Sequence, residues 1–349
     1  MKSLRAYSLV LAAVVLPVFV GAAQAEEAVF RIGMIGLDTS HVPAFTKTFN
    51  DPGAPDHIPG FKVVAAFKGG SSDIESSASR VDGYTEQIRD AYGVKIVDTI
   101  EELCTLVDGV MLESVDGRPH LEQARPVIKA GLPLYIDKPV AGSLADAIEI
   151  YRLAKEHNVP CWSSSSYRYY PGLVEMMQKD FGELRGAISY GPATVEEHHP
   201  DLFWYGVHAT EALFTVMGPG VQTVVRTHTE NTDVVTGVWE GGKVGTLRGL
   251  RNQATPNQVI IFGTKDVVLQ GSGSGYGPML VEVAKFFKTR EVPVSPRETI
   301  EIFAFMEAAD ESKRQGGVPV SIADVLEKAS GGKPLPCDVP APAPANEGS

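Results

Sequence analysis

The sequence is short of cysteine and of positive charge. Its 349 residues include three cysteines, Cys104, Cys161 and Cys337, and none has the spacing of a CxxC motif or of a metal-ligand set. Lys and Arg number 31 against 43 Asp and Glu, which gives a net charge of −12, and no Lys/Arg-rich tract occurs. Cysteine-based metal or redox motifs are therefore excluded, and nucleic acid is disfavoured as a partner.

The first 25 residues are typical of a secretory signal. Basic Lys2 and Arg5 precede an apolar core, and the small-residue ending Ala23-Gln24-Ala25 predicts cleavage before Glu26. The alternative is a membrane anchor, but the apolar core is short for a span and contains Pro17. The segment has no twin-arginine motif, which would indicate export of a folded chain. No cysteine follows the apolar core, so a lipid anchor at the cleavage site is not indicated. We expect a periplasmic or extracellular protein with no membrane attachment after cleavage.

Strand and helix patterns alternate from about residue 29 to residue 159. This alternation predicts an α/β fold with a doubly wound parallel sheet, in which ligands bind at the carboxyl ends of the strands. The second half contains alternating β patterns with a hairpin signal at Glu240-Gly241-Gly242-Lys243, which predicts an open, largely antiparallel sheet. The expected layout is a signal at 1–25, a Rossmann domain at 27–160, a substrate-binding and oligomerisation domain at 161–295, a closing helix and C-terminal segment at 296–330, and a disordered Pro/Ala-rich tail at 331–349.

The turn after the first strand departs from the G-x-G-x-x-G fingerprint of dinucleotide-binding folds. In "GMIGLDTSHV", Gly36 holds the first glycine position, Asp38 the second and His41 the third. A carboxylate aimed at a pyrophosphate would be repelled, so Asp38 must turn inward if a dinucleotide binds. We interpret Asp38 as a helix cap, with Thr39, Ser40 and the helix-start amides holding the phosphate. The alternative is a helix cap in a loop that binds nothing.

The ends of later strands supply the remaining candidates for cofactor contact. The second strand ends in "FKGGSS", where Lys68 and Ser71 suit the 2′-phosphate of NADP better than the ribose of NAD, although an ordinary Gly/Ser turn fits as well. Lys138 follows another strand, and Pro139 fixes the next φ. Lys138 could donate a hydrogen bond to a substrate hydroxyl, or be a surface lysine in a turn. The predicted cofactor contacts are Gly36, Asp38, Thr39, Ser40, His41, Lys68, Ser71, Glu113, Lys138 and Pro139.

Three segments together resemble the Gfo/Idh/MocA oxidoreductase family. "YIDKPVAGSLADAIEIYRLAKEHNVPCWSSSSYRYYP" is similar to its E-K-P segment and the helix and strand that follow, "ESVDGRPHLEQARPVIKAGLPLY" to the preceding unit, and "EAADESKRQGGVPV" to its closing helix. The likeness runs from about Arg31 to about Val320. It implies a Rossmann domain, a C-terminal α/β domain with an open antiparallel sheet, and NAD(P)-linked redox chemistry at a sugar or polyol carbon. Lys138 corresponds to the family's catalytic lysine, with Asp137 replacing the usual Glu.

The same resemblance points to a histidine at the start of a helix in the second domain. "DLFWYGVHATEALF" matches at His208, but Trp204 stands where the family has an aspartate; Asp201 and Tyr205 are the candidates to replace it. His208 and Glu211 share a helix face, so Glu211 could orient His208 as it accepts a proton. The alternative is a buried His-Glu pair that holds the helix to the sheet. The predicted catalytic residues are Lys138 and His208.

Two further groups of polar residues could contact a ligand. The segment "VEEHHPD" could bind a divalent metal through Glu196, Glu197, His198, His199 and Asp201. Neighbours on a strand point to opposite faces, so a solvated loop is favoured and no metal ligand is assigned. The strand-end stretch Arg168-Tyr169-Tyr170 could contact a polyhydroxylated ligand or pack at a rim. The predicted substrate contacts are Arg168, Tyr170, Asp201, Tyr205 and Glu211.

The sequence therefore predicts an exported NAD(P)-dependent oxidoreductase acting on a sugar, polyol or related carbohydrate. NAD and NADP both remain candidates, with Lys68 and Ser71 favouring NADP. The alternatives are a non-redox or redox-neutral lyase or hydrolase, and a carbohydrate-binding protein without catalysis. The expected partner is a small carbohydrate, and a homo-oligomer is compatible with the second domain.

Overall fold

Two β-sheets organise the protein. The computed structural model describes residues 29–252 and 255–337, so the predicted export signal lies outside the described residues, as does the end of the predicted tail. None of the helices in these described ranges combines the length and apolar character needed to cross a bilayer.

The N-terminal sheet is parallel and buried on both faces. Its strands are short apolar runs, as expected when helices cover both sides of a sheet. They are β1 (Phe30–Ile35), β2 (Phe61–Phe67), β3 (Lys95–Val97), β4 (Gly109–Leu112), β5 (Leu134–Ile136) and β6 (Cys161–Ser163). Their order is β3-β2-β1-β4-β5-β6, the order of dinucleotide-binding domains, and it reverses between β1 and β4. The predicted Rossmann sheet is confirmed, and the reversal places a crevice at the carboxyl ends of these two strands.

Three of the helix ends in this domain have recognisable cap residues. They are α1 (His41–Asn50), α2 (Glu75–Ala78), α3 (Val81–Tyr92), α4 (Ile100–Leu106), α5 (His120–Lys129) and α6 (Leu144–Glu156). The side chains of Thr99 and Ser143 cap α4 and α6 by accepting bonds from backbone amides. Gly93 ends α3 in the left-handed conformation.

The second sheet is largely antiparallel, as predicted. Its strands are β7 (Leu184–Pro192), β8 (Val221–His228), β9 (Thr232–Trp239), β10 (Val244–Leu250), β11 (Gln258–Gly263), β12 (Val267–Leu269) and β13 (Val320–Ser321), in the order β12-β11-β7-β10-β9-β8-β13. The central pair β7 and β10 is parallel. The predicted turn at 240–243 joins β9 to β10. The helices here are α7 (Pro171–Met177), α8 (Asp201–Trp204), α9 (Gly206–Met217), α10 (Gly277–Thr289), α11 (Pro296–Arg314) and α12 (Ile322–Ser330).

The structure differs from the expected layout at three places. Strand β6 carries the parallel sheet to Ser163, past the expected boundary at residue 160. Helix α10 lies inside the segment assigned to the second domain, yet its Phe286 and Phe287 pack in the core of the first. Leu335 and Cys337, at the start of the expected disordered tail, pack against the main core. These contacts join residues far apart in the chain, so local patterns do not reveal them.

Candidate active site

Three side chains meet at the carboxyl edge of the parallel sheet. His41 begins α1 after β1, Glu113 directly follows β4, and Asp137 directly follows β5. The Nδ1 atom of His41 lies 2.6 Å from Asp137 Oδ2 and 3.8 Å from Glu113 Oε2. Adjacent parallel strands present their carboxyl ends to the same crevice, which is why residues 96 positions apart come into contact.

The turn between β1 and α1 is held tightly to the loop after β4. Gly36 has a φ of +82°, and a Cβ placed there would lie 2.1 Å from Ser114 Oγ, so this position requires glycine. Asp38 is fully buried. Its carboxylate accepts bonds from Ser77 Oγ at 2.6 Å and from the Val115 amide at 2.9 Å. The second fingerprint position therefore points into the protein rather than toward a phosphate.

Asp38 faces inward as expected, but it is not a helix cap. Helix α1 has Ser40 at its N-cap position, and the Ser40 side chain makes no capping bond, while Thr39 Oγ1 accepts a long bond of 3.5 Å from the His41 amide. Asp38 instead links two other segments to the turn, because its carboxylate accepts from the Ser77 hydroxyl and from the Val115 amide. Burial raises the pKa of Asp38, against the lowering effect of these two bonds.

The two residues expected to favour NADP are engaged by neighbouring carboxylates. Lys68 Nζ lies 2.5 Å from Asp82 Oδ1, and both side chains are largely exposed. The Ser71 hydroxyl donates to the buried side chain of Asp116 at 2.6 Å. Ser71 therefore stabilises its loop through Asp116. Lys68 lies at the surface, where its ion pair with Asp82 is exposed to solvent.

Lys138 and His208 face the same aromatic ring. Lys138, which is buried and followed by a cis bond to Pro139, places Nζ 6.0 Å from the centroid of the Tyr205 ring. The His208 ring meets Tyr205 edge-on at 5.2 Å and stacks on Tyr167 at 4.5 Å. Tyr205 is 39% exposed, so it borders solvent on the open side. The two predicted catalytic residues, one from each domain, therefore converge.

Burial and neighbouring charges shift the pKa values of the titratable groups in this crevice in different directions. Burial and the positive charge of Lys138 hold the pKa of His208 well below its ordinary value, so its imidazole is neutral near pH 7. Burial and the neighbouring Asp137 raise the pKa of Glu113 well above that of an ordinary glutamic acid. Burial alone would also raise the pKa of Asp137, but the charge and hydrogen bond of His41 lower it.

Glu211 and Arg168 have a different role from the one expected of them. Glu211 does not contact His208; its Oε1 accepts bonds from Arg168 Nε at 2.7 Å and from Ser164 Oγ at 2.9 Å. Arg168 also pairs with Glu298 at 2.5 Å. With both charges buried and paired, this cluster stabilises the domain junction and is withdrawn from a substrate. His208 is oriented instead by Ser165, whose hydroxyl lies 2.7 Å from Nδ1.

Asp201 also lies away from this crevice. Its carboxylate pairs with Lys313 at 2.6 Å and with the buried Arg226 at 3.1 Å. It borders a separate cavity of about 420 Å³ that is also lined by His228. Of the two candidates to replace the missing aspartate, the structure places Tyr205 beside His208 and Asp201 elsewhere. Tyr170 packs on Tyr167 at 4.7 Å, at the rim of the crevice.

The acidic loop at 196–199 does not assemble as a cluster. His199 is buried and accepts a bond from the Gly117 amide at 3.3 Å, and burial lowers its pKa to about 4. His198 is exposed and lies 3.2 Å from Glu196. The two imidazoles thus serve different surroundings, as expected for neighbours on an extended chain.

The sequence interpretation missed Ser165, Tyr167 and Tyr276 as site residues. Ser165 and Tyr167 follow β6 in the run "SSSSY", and the position of this run after a strand was the available signal. Tyr276 precedes α10 and meets the His41 ring edge-on at 4.7 Å. No local pattern indicated that α10 returns to the first domain, so Tyr276 could not be placed.

Comparison with known proteins agrees with this geometry. Residues 30–165 match the family GFO_IDH_MocA, described as an oxidoreductase family with an NAD-binding Rossmann fold. The match covers the parallel-sheet domain, which is therefore a Rossmann domain of the Gfo/Idh/MocA type. No curated protein sequence matches the chain.

Solved structures of Gfo/Idh/MocA-like architecture superpose on most of the protein. The myo-inositol dehydrogenase of Lactobacillus casei, solved with NAD(H) and myo-inositol, is 14% identical, with a TM-score of 0.67 over 84% of this chain and 96% of that one. The scyllo-inositol dehydrogenase of the same organism, with NAD(H) and scyllo-inositol, is 15% identical, with a TM-score of 0.65 over 84% and 99%. GenD2 from gentamicin A biosynthesis, in complex with NAD, is 16% identical, with a TM-score of 0.66 over 84% and 96%. At these identities the likeness establishes the fold.

The Gfo/Idh/MocA Rossmann domain of this chain fits a dinucleotide, with an altered phosphate end. The strand order, the Gly36 turn and the N-terminus of α1 provide the usual crevice and its amide donors. The carboxylate that replaces the second glycine is turned away, so it does not oppose a pyrophosphate. The first turn of α1, with Thr39 and Ser40, would hold the phosphates.

Proposed function

We propose that the protein is an NAD(P)-dependent oxidoreductase that acts on a CH–OH group of a sugar, a polyol or a related carbohydrate. The observation that carries this proposal is the convergence of Lys138 and His208 on Tyr205 at the carboxyl edge of a Rossmann sheet. A polyhydroxylated substrate suits a crevice bordered by phenol, ammonium and imidazole groups, because each can hydrogen-bond a hydroxyl. The inositol dehydrogenases of the same fold support this substrate class by analogy.

The side chains of the crevice divide the chemistry between them. A nicotinamide dinucleotide bound in the crevice would supply hydride-transfer chemistry. Lys138 Nζ donates a hydrogen bond to the reacting oxygen, which lowers the cost of developing negative charge there. Neutral His208 receives the hydroxyl proton on the ring nitrogen that Ser165 does not engage, since its Nδ1 atom is held by that serine. In the reverse direction the same groups return the proton.

We also propose that the protein works outside the cytoplasm, since its first 25 residues have the pattern of an export signal. Free nicotinamide cofactor is scarce there, so the cofactor would be held tightly and re-oxidised or re-reduced in place by a second substrate. Protein recovered from its natural compartment would then release a nicotinamide dinucleotide that mass spectrometry identifies.

Turnover and binding measurements on two lysine variants test the proposed function. Lys138→Met removes the hydrogen-bond donor, and we expect turnover with a panel of inositols and aldoses to fall by roughly 10²- to 10⁴-fold. Binding of NADH, followed by its fluorescence, should change far less. Lys313→Met is the matched control, because Lys313 pairs with Asp201 away from the crevice. Equal turnover in the two variants would contradict the proposal.

A further inference from the structure

Two of the three side chains at the crevice floor have buried carboxylate oxygens without partners. Both oxygens of Glu113 and the Oδ1 atom of Asp137 are buried and receive no hydrogen bond. Within residues 29–252 and 255–337 no other carboxylate oxygen is in this condition. A buried polar atom without a partner is costly, and a buried carboxylate more so, which indicates that a ligand satisfies these oxygens.

The geometry of the group suits a cation. His41, Glu113 and Asp137 are all buried, and one ligand atom from each lies within 4.8 Å of the others. The atoms come from three adjacent elements, the start of α1 and the ends of β4 and β5, so they surround one point at the sheet edge. Tetrahedral or octahedral coordination needs ligand atoms about 3 Å apart. The separations from His41 Nδ1, 2.6 Å to Asp137 Oδ2 and 3.8 Å to Glu113 Oε2, lie on either side of that value.

One lysine and one further carboxyl group lie close to the three side chains. Lys138 is the lysine whose charge reaches both Glu113 and Asp137, and its Nζ is turned toward the Tyr205 ring. Asp38 adds a third carboxyl group close to Glu113.

We propose that His41, Glu113 and Asp137 form a binding site for a divalent first-row transition metal ion of the Mn²⁺, Fe²⁺ or Zn²⁺ class. An imidazole nitrogen with two carboxylates favours these ions over Mg²⁺ and Ca²⁺, which prefer oxygen ligands alone. Three protein ligands leave coordination positions open on the side of Lys138, where a water or a substrate hydroxyl can bind. Ion binding needs neither cofactor nor substrate, so the site stands independently of the proposed function.

A second His–Asp pair has the same contact, but its carboxylate oxygens already have partners. His228 Nδ1 lies 2.6 Å from Asp233 Oδ1, the same separation as in the His41–Asp137 pair. Asp233, however, is already paired with Arg226 and Arg251, whose charges compensate it. The His228 pair is therefore a matched control that has the same contact and lacks the unpartnered carboxylates.

The test is equilibrium dialysis of the full chain, stripped with a chelator, against Zn²⁺ or Mn²⁺ alone, with metal content measured by mass spectrometry. We expect about one ion per chain, with Mg²⁺ in excess failing to displace it. Glu113→Gln and Asp137→Asn should each weaken binding by 10-fold or more, and His228→Ala should leave it unchanged. Binding that is as tight in Glu113→Gln as in the native chain would overturn the proposal, as would tight competition by Mg²⁺.

A measurement on the native chain keeps the proposal testable if a variant fails to fold. Co²⁺ bound by an imidazole and two carboxylates absorbs visible light more strongly than the hydrated ion does. We expect this absorption to grow to a stoichiometry of about one and to disappear when Zn²⁺ is added. The absence of such absorption would overturn the proposal, whatever the outcome of the turnover measurements.

Discussion

The hydroxyl of Ser165 lies 2.7 Å from Nδ1 of His208, and this contact fixes the imidazole in the crevice. Because Nδ1 is engaged, Nε2 is the ring nitrogen that would take part in proton transfer under the proposed function. The adjacent Ser164 instead donates to Glu211 at 2.9 Å. Two neighbouring serines thus serve two different side chains: Ser165 contacts His208, and Ser164 contacts the Glu211–Arg168 pair.

Ser165→Ala should impair turnover without removing a group that touches substrate. Losing the contact frees the His208 ring to rotate, so we expect kcat to fall by about 10-fold with a shifted pH profile and a nearly unchanged KM. Ser164→Ala is the control, and it should alter stability while leaving the pH profile in place. A Ser165→Ala enzyme with the native pH profile would show that Ser165 does not position His208.

Removing Arg168 should destabilise the protein strongly. Arg168→Met leaves Glu211 and Glu298 buried without their shared cation, and we expect the free energy of unfolding to fall by roughly 3 kcal/mol. Lys68→Met breaks an exposed pair with Asp82 and should cost less than about 1 kcal/mol. Urea denaturation measures both. Equal losses in the two variants would mean that the Arg168 cluster contributes no more than a surface pair.

Stability should decrease in acid because His199 resists protonation in the folded state. Burial lowers the pKa of His199 to about 4 from 6.5, so the unfolded chain binds the extra proton first. Stability is therefore constant above about pH 6.5 and falls as the pH drops toward about 4, by up to about 3 kcal/mol from this residue.

The variant His199→Gln isolates this contribution. Glutamine can accept the Gly117 amide bond but does not titrate, so its free energy of unfolding should change less between pH 6.5 and pH 4 than that of the native chain. His198→Gln, at the exposed neighbouring position, should follow the native curve. Parallel curves for His199→Gln and the native chain would assign the acid sensitivity to other groups.

Restoring the missing fingerprint glycine should harm the protein. Asp38→Gly removes two buried acceptor contacts, to Ser77 and to Val115, and we expect a stability loss of about 2–3 kcal/mol. Nucleotide binding should weaken rather than improve, because the turn loses its anchor. Thermal unfolding and NADH fluorescence measure the two effects, and tighter NADH binding by Asp38→Gly would contradict this interpretation of the turn.

The sequence predicted those features that depend on local pattern or on charge. Alternating strands and helices indicated the parallel sheet, and electrostatic repulsion indicated that Asp38 turns inward. The partner of Glu211 could not be predicted, because a spacing of three residues is compatible with His208, while the observed partner Arg168 lies 43 positions away. Helix α10 and Tyr276 were missed for the same reason, since their contacts with the first domain depend on how the chain returns.

The most direct test of the proposed function is a crystal structure of the protein with NADH or NADPH bound. We expect the dinucleotide to cross the carboxyl edge of β1 and β4, with its phosphates at the start of α1. The nicotinamide C4 atom should lie within about 4 Å of a substrate carbon held by Lys138 and His208. A nucleotide bound elsewhere, or an empty crevice at saturating nucleotide, would contradict the account.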